Sequence, residues 1–345
     1  MIRSAPPRWA WSIVLLATAA AAALGFVAPP LSGWRQAVTV IAGLGGGSVL
    51  LAMIGRLLGR EWLEVLEDEL LPGGALLLLA AVLVLPFLSV AAPDPGTLFA
   101  SEGLTPQRAW WFAPGAMALR FVLFVAAGAA LAAAMTWWTR ARRKISALGL
   151  PAFAALFALA AIDWIVMRAP LWWTALQPIG FVVNQLTGAL ALAFVFNIVQ
   201  REKTDHAALA SVAAALLTLA LLGLWIGFVQ YLVAWYGNLP AAAAWYQVRG
   251  GALPWLLPAA IGLQITGVLV LLARRSKRTM LGASVALLVA YLLHGLWIAG
   301  PMLPDGPADW AVFAGLLVLA ACWLALLARW YDAKIVSRER TEGPQ

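Results

Sequence analysis

The chain has very few residues that can bind a metal or a redox cofactor. It contains one cysteine, Cys322, and two histidines, His206 and His294, among 345 residues. Iron–sulfur clusters need several thiolates, and a bis-histidine haem needs two imidazoles within the membrane, whereas His206 falls in a predicted connection. We therefore expect no metal site and no bound cofactor. Any electron-transfer role would need other subunits or a diffusible quinone.

Charged residues are also scarce, at 11% of the chain, whereas 63% of the residues are hydrophobic. About 20 consecutive apolar residues cross a bilayer core of roughly 30 Å. The sequence therefore predicts an all-α polytopic membrane protein with a single integral membrane domain over residues 1–345. The first apolar stretch is longer than a signal-peptide core, so we expect it to be a retained helix. Ten transmembrane helices are predicted, at about 9–28, 37–58, 73–92, 112–138, 149–168, 179–200, 207–232, 254–273, 279–300 and 308–331.

The net charge of +8 follows the predicted topology, so it indicates no nucleic-acid partner. With a cytoplasmic N-terminus, eighteen Lys and Arg residues fall in the cytoplasmic connections and termini. Only four, Arg35, Arg108, Arg168 and Arg249, fall on the opposite side, and Arg120 lies inside a helix. Basic residues are concentrated in the cytoplasmic loops of membrane proteins. The pattern predicts that both termini are cytoplasmic.

Residues 60–71, REWLEVLEDELL, form an amphipathic segment after the second predicted span. Their leucines and Trp62 fall near one helical face, and the acidic residues occupy the remainder. This pattern predicts a helix at the membrane interface. Two interpretations stay open: a connector packed on its own bundle, or a docking surface for a partner.

Asp163 is a carboxylate inside the long apolar run of the fifth predicted span. Ionisable residues within a membrane are costly and usually have a function and a partner. Arg120 lies in the fourth span, and helix rise places both side chains roughly 10–12 Å from the same helix ends. Because a short connection makes these two spans antiparallel neighbours, Arg120 is the predicted partner. The pair either contributes to a functional site or only locks two helices together.

His294 occupies a position in the ninth span that corresponds to Asp163 in the fifth, because each precedes a proline, Pro301 or Pro170, by seven residues. This spacing predicts a repeat in which spans two to five correspond to spans six to nine. His294 is either a proton relay or hydrogen-bond partner of a quinone, or an imidazole bonded to a neighbouring helix.

Other polar side chains are predicted near the same level of the membrane. Amides in helix bundles commonly join helices, so a structural role is open for each of them. Their number favours a polar cavity. The candidate proton or quinone site therefore comprises Asp163, Arg120, His294, Gln264, Tyr291, Asn184 and Gln185.

Several segments together resemble a known family over most of the chain. They include Asp163-Trp164 followed by Pro170 and Trp172, and 230-QYLVAWYGNLP-240, which contains Gly237, Asn238 and Pro240. These segments resemble the ActF-type membrane subunit, quinone-binding subunit 2, of bacterial alternative complex III, a quinol:cytochrome c oxidoreductase. The chain departs from that family at Ala241, Ala242, Arg168 and His294, which are positions that bear on the family's proton path.

The resemblance implies a fold like that of the polysulfide-reductase membrane subunits, with two four-helix bundles plus flanking helices. It also implies a bacterial inner-membrane location and a cofactor-free subunit that supports quinol oxidation and proton movement. The implied partners are another membrane subunit, iron–sulfur and haem c subunits, and the lipid bilayer. A secondary transporter and a purely structural scaffold are the alternative functions.

Overall fold

The computed structural model describes residues 6–27, 32–59, 61–89, 110–111, 113–166, 174–200, 206–249, 253–273, 276–299 and 306–342. Within these ranges the regular structure is entirely helical. A 3₁₀ turn, Thr139–Ala141, precedes α6, and a π-helical turn, Ile162–Val166, follows it. The α-helices are α1 (Arg8–Val27), α2 (Ser32–Leu58), α3 (Glu61–Gly74), α4 (Leu76–Ser89), α5 (Pro114–Trp137), α6 (Arg142–Ala161), α7 (Leu176–Gln200), α8 (His206–Tyr236), α9 (Pro240–Arg249), α10 (Leu256–Ala273), α11 (Lys277–Ala299) and α12 (Pro307–Glu342).

Ten of the described helical segments are long and apolar enough to cross a membrane. Helices α3 and α4 share one of these spans, Val65–Pro86, and α9 lies outside all of them. The prediction of an all-α, ten-span membrane protein is confirmed. Several helices extend beyond the predicted apolar runs, as at the end of α12, because hydropathy marks only the hydrocarbon-embedded part of a helix.

The spans are arranged as two four-helix bundles with two flanking helices. The first bundle contains α2, α3 with α4, α5 and α6, and the second contains α7, α8, α10 and α11. Helices α2 and α3 of the first bundle pack on α7 of the second, while α1 and α12 pack on each other and against the first bundle. This division agrees with the predicted grouping of spans two to five and six to nine; the symmetry of the repeat stays a prediction.

Two of the described connections identify the two ends of the molecule. We call the end that carries Arg140, Arg142, Arg143 and Lys144, between α5 and α6, the basic end. The opposite end carries the short helix α9 between α8 and α10, and we call it the cap end.

The amphipathic segment 60–71 differs from the predicted interfacial helix. It forms α3, the first part of the third span, and its apolar face packs on α2, α7 and α8. Leu63, Leu66 and Leu70 are each at most 2% exposed. Among the acids of α3, Glu67 pairs with both Arg56 and Arg142, which neutralises its charge within the bundle. The interpretation as a segment packed on its own bundle is correct, and the span begins earlier than hydropathy indicated.

Asp309 ties the flanking helix α12 to the first turn of α2. Its Oδ1 accepts a hydrogen bond of 2.6 Å from the Gly33 N–H, and its Oδ2 accepts one from the Ser32 hydroxyl. The first N–H groups of a helix have no partner within the helix, and a carboxylate there is favourable to the helix dipole. Asp309 is only 3% exposed, so water cannot replace it.

We expect the Asp309→Ala variant to lower the free energy of unfolding by about 1–3 kcal/mol, since it leaves buried donors unpaired. The Asp309→Asn variant keeps an acceptor oxygen and should lose less. Thermal unfolding in detergent measures both. Equal midpoints for the wild-type and alanine chains would contradict this role.

Candidate functional site

Arg120 and Asp163 form a buried ion pair in the first bundle. The Arg120 Nε and Nη2 atoms donate to the two Asp163 oxygens at 2.7 and 2.8 Å. Arg120 Nη1 also donates to the backbone oxygen of Trp111 at 2.9 Å, and the guanidinium lies 4.5 Å from the centre of the Trp111 ring. Asp163 is 4% exposed. The predicted pairing is confirmed, and its bidentate geometry leaves neither carboxylate oxygen free.

Asp163 lies in the π-helical turn that ends the fifth span. Such turns are rare and occur often at functional sites, since they re-aim side chains. The next residue, Trp164, packs in an aromatic cluster, edge-on against Phe124 and Phe181 and at a tilt against Phe121. The turn thus places Asp163 toward Arg120 and fixes Trp164 against both α5 and α7.

Tyr291 and Gln185 form a second polar contact, between the two bundles. The Tyr291 hydroxyl donates to Gln185 Oε1 at 2.6 Å and lies 3.4 Å from the Val40 carbonyl oxygen. Close packing around the pair requires glycine, because a Cβ at Gly188 would lie 2.7 Å from the Tyr291 ring and one at Gly43 only 2.0 Å from Gln185 Oε1. These two predicted site residues are therefore fully engaged in holding α2, α7 and α11 together.

A cavity of about 500 Å³ lies inside the second bundle, toward the cap end. It is bounded by α7, α8, α10 and α11 and by Tyr246 of α9. Most of its wall is apolar. Three of the predicted site residues line it, namely Asn184, Gln264 and His294. The Gln264 amide nitrogen donates to the Ala220 carbonyl at 2.9 Å, so this side chain also joins α10 to α8.

Two side chains in the cavity wall have buried polar atoms without a hydrogen-bond partner among the described residues. They are His294, at Nδ1, and Gln177, at both the oxygen and the nitrogen of its amide. Gln177 is 5% exposed. A buried polar atom left unpaired costs about 1–3 kcal/mol. Both side chains belong to the wall of one cavity, which makes this cavity the candidate site for a ligand that hydrogen-bonds to them.

Helix α9 closes the cavity at the cap end. Tyr246 packs edge-on against Trp245 and Tyr231, and its ring lies 5.9 Å from that of Trp297. Burial raises the pKa of Tyr246 to about 12, with the nearby Tyr231 acting in the same direction and Arg249 in the opposite one. The phenol is therefore protonated at neutral pH, and its side chain lines the cavity.

Arg249 fixes α9 in place. Its guanidinium stacks 3.7 Å from the centre of the Trp245 ring, and its Nε donates to the Ile298 carbonyl at 3.1 Å. Ile298 is itself part of the cavity wall. Burial lowers the pKa of Arg249 to about 10, which still leaves it charged at neutral pH.

The side of the cavity between α8 and α10 is open. Phe228, Ile261 and Ile265 line it and are 61%, 40% and 43% exposed on the outer surface of the bundle. The surface around the opening is thus apolar, as is typical of the lipid-facing side of a transmembrane helix. Two glycines of α8, Gly223 and Gly227, add to the space. A lipid-soluble molecule can thus reach the cavity from within the bilayer.

The structure divides the predicted site among three places. Arg120 and Asp163 pair in the first bundle, Gln185 and Tyr291 join the bundles, and the cavity has Asn184, Gln264 and His294 in its wall. Asp163 does not line the cavity. The predicted site did not include Gln177 or Tyr246, because hydropathy places both outside the predicted spans. The glycine spacing at Gly223 and Gly227, four residues apart on one helical face, was a usable signal.

The family-motif residues have structural explanations where the structure describes them. Asn238 is the one described non-glycine residue with a positive φ, of 46°. Together with Gly237, whose N–H donates to the Val233 carbonyl, it ends α8, and Pro240 begins α9. Asn tolerates this left-handed conformation better than most residues. Pro170 and Trp172 lie outside the described residues.

No group of three His, Cys, Asp or Glu residues within the described part of the chain could hold a metal ion. The absence of a cofactor stays a prediction. Comparison of the chain with models of known protein families finds no match, and comparison with curated proteins finds none either.

Proposed function

We propose that this chain is a cofactor-free integral membrane subunit of a quinol:cytochrome c oxidoreductase, and that the cavity of its second bundle binds the quinol headgroup. The observation that carries the proposal is the cavity, with unpaired polar atoms of His294 and Gln177 in an apolar wall that opens toward lipid.

A quinol matches this cavity in size, polarity and route of entry. Ligand sites typically have volumes of about 300–1,000 Å³, with mainly apolar walls and a few polar groups that orient the ligand. A quinol ring carries two oxygens at opposite ends, and the cavity offers separate partners in His294, Gln177 and Tyr246. The opening beside Phe228 suits an isoprenoid tail that stays in the bilayer.

The polar groups suit both redox forms of the ligand. A neutral imidazole has one nitrogen that accepts and one that donates. His294 can accept a hydrogen bond from a quinol hydroxyl, whereas Gln177 and Tyr246 can donate to an oxygen of the oxidised ring. Oxidation of a quinol releases two protons and two electrons. In the proposed complex, haem c and iron–sulfur subunits receive the electrons, since this chain has no candidate for that role.

We place the complex in a bacterial inner membrane, with the basic end in the cytoplasm and the cap end outside. Eighteen basic residues against four support this orientation. Transport is less well supported, because α7, α8, α10 and α11 run without a break past the cavity, whereas transporter sites typically involve interrupted helices.

Filling the cavity at Gly227 tests ligand binding. A Cβ added at Gly227 would meet no atom within 4 Å, so Gly227→Leu should fold normally and occupy the space of the ligand. We expect at least a tenfold weaker affinity for a short-tailed quinone such as decylubiquinone, measured by titration of the purified chain. Gly262 on α10 likewise has no atom within 4 Å and lies on the exposed surface, so Gly262→Leu is the matched control.

The quinone affinities of the two variants show whether the ligand binds in this cavity. Equal quinone affinity of the wild-type chain and Gly227→Leu would contradict binding in this cavity. Purification tests the assignment to a complex: haem c and iron–sulfur polypeptides should be isolated with the chain. A solitary protein that moves a solute into vesicles would instead identify a transporter.

A further inference from the structure

We propose that the first bundle binds one anionic phospholipid of the inner leaflet, with an acyl chain in a groove between α3, α4, α5 and α12 and the phosphate at the basic residues that follow α5. This site is separate from the quinol cavity. The proposal uses only the orientation that places the basic end in the cytoplasm.

The groove has a volume of about 240 Å³ and an almost wholly apolar wall. It exists because α5 presents the small side chains of Ala129, Ala132 and Ala133 to the groove. Larger side chains, including Leu78 and Trp330, form the opposite walls. A vertical apolar slot of this kind on the outside of a transmembrane bundle is filled by hydrocarbon.

The shape of the groove fits a single acyl chain. Along α5 the groove extends from Ala129 to Trp137, which is about 12 Å of helix rise. It is therefore long and narrow, and it ends at the basic end.

The basic end supplies the complementary charge. Arg140, Arg143 and Lys144 begin three residues after Trp137, at the end of the groove, and their side chains are exposed. Basic clusters at the cytoplasmic ends of transmembrane helices bind anionic lipid headgroups. Trp137 lines the groove and is 63% exposed, as is typical of a tryptophan at the headgroup level.

The net charge at this end comes from the exposed residues Arg140, Arg143 and Lys144. Among the described side chains nearby, Glu67 pairs with Arg56 and Arg142, and Asp68 lies close enough to Tyr331 to act on it, so two acids balance these two guanidinium groups. Arg142 also interacts with Tyr331, which lines the groove. The groove therefore ends beside the segment that carries the exposed cations. A zwitterionic lipid would fit the groove but would gain less from the exposed cations.

Lipid analysis of the purified full-length chain tests the site. The chain is washed extensively in detergent, exchanged into an equimolar mixture of phosphatidylglycerol and phosphatidylcholine, washed again and examined by native mass spectrometry. We expect one retained phospholipid, enriched at least fivefold in phosphatidylglycerol. Ala133→Phe should abolish retention by filling the groove. Its control is Ala130→Phe, an exposed position of the same helix that does not line the groove.

Removing basic residues tests whether the site prefers an anionic lipid headgroup. The Arg140→Gln/Arg143→Gln double variant should lose the preference for phosphatidylglycerol, while Lys277→Gln/Arg278→Gln, which removes two charges elsewhere, should keep it. Retained lipid of the same composition as the mixture would overturn the anionic specificity. Unchanged retention in Ala133→Phe would overturn the groove as the site. Loss of a partner polypeptide from Ala133→Phe, with lipid still retained, would show that a protein covers the groove.

Discussion

Replacing Asp163 with alanine should lower the free energy of unfolding by about 3–5 kcal/mol, because it leaves a buried guanidinium without its counter-ion. Arg120 would keep only the Trp111 carbonyl and ring as partners, and both Asp163 contacts below 3 Å would be lost. Denaturation of the purified chain by heat or by sodium dodecyl sulfate measures this loss.

A double variant separates the charge pair from the shape of the site. Arg120→Met/Asp163→Leu removes both charges and replaces the two side chains by apolar ones of similar length. Replacing both members of a buried pair by apolar groups is often neutral or stabilising, so the double variant should be more stable than Asp163→Ala. A double variant as unstable as the single one would show that the individual hydrogen bonds hold the π-helical turn.

We expect the loss of the ion pair to leave quinol oxidation itself unaffected, unlike a change in the quinol cavity. Asp163 does not line the cavity, and Trp164 lies between Phe121 of α5 and Phe181, which is part of the cavity wall. In the assembled complex, the double variant should therefore retain quinol:cytochrome c activity in proportion to the amount that assembles. Loss of activity at full assembly would give the pair a direct role in the reaction.

The Arg120–Asp163 pair was predictable from sequence because depth and connectivity alone determine it. Both residues lie at similar distances from the ends of consecutive antiparallel spans, and each is otherwise surrounded by apolar residues. His294 was predicted at a similar depth and was grouped with this pair in one site, but it lines a cavity that the pair does not reach, because depth gives no information about the direction of a side chain around its helix. Gln177 was missed because only the folded structure shows that its buried amide has no hydrogen-bond partner among the described residues.

The third span shows where hydropathy misleads. The acids of residues 61–69 moved its predicted start to residue 73, although Leu63 and Leu66 are buried in the bundle. Ion pairs from Arg56 and Arg142 neutralise Glu67, and Asn197 donates to Glu69 Oε1 at 3.1 Å. These partners come from α2, α6 and α7. The hydropathy of a segment is summed over that segment alone. It therefore cannot show that helices distant in sequence supply the partners of its charged residues.

Replacing His294 with phenylalanine should weaken quinone binding while leaving the folded chain equally or more stable. The ring shape is largely kept beside Trp297, 5.7 Å away between ring centres, but the Nδ1 atom, which no described group pairs, is removed. A ligand hydrogen bond lost at a buried site costs about 1–3 kcal/mol, or roughly a 5- to 150-fold weaker affinity. Titration with decylubiquinone and thermal unfolding measure the two effects.

Tyr291→Phe supplies the matched control, one helical turn away. Its hydroxyl is paired with Gln185 and does not line the cavity, so its loss should destabilise the chain and leave quinone affinity unchanged. The two variants should thus show opposite patterns of stability and binding. If His294→Phe instead lowered stability and left affinity unchanged, the imidazole would be a structural group and the quinol site would lie elsewhere. If His294→Phe weakens quinone binding and keeps stability while Tyr291→Phe does the reverse, His294 is a ligand-binding group. In the empty cavity the His294→Phe variant removes an unpaired polar atom and so costs no stability, whereas in the bound state it removes a hydrogen bond to the ligand.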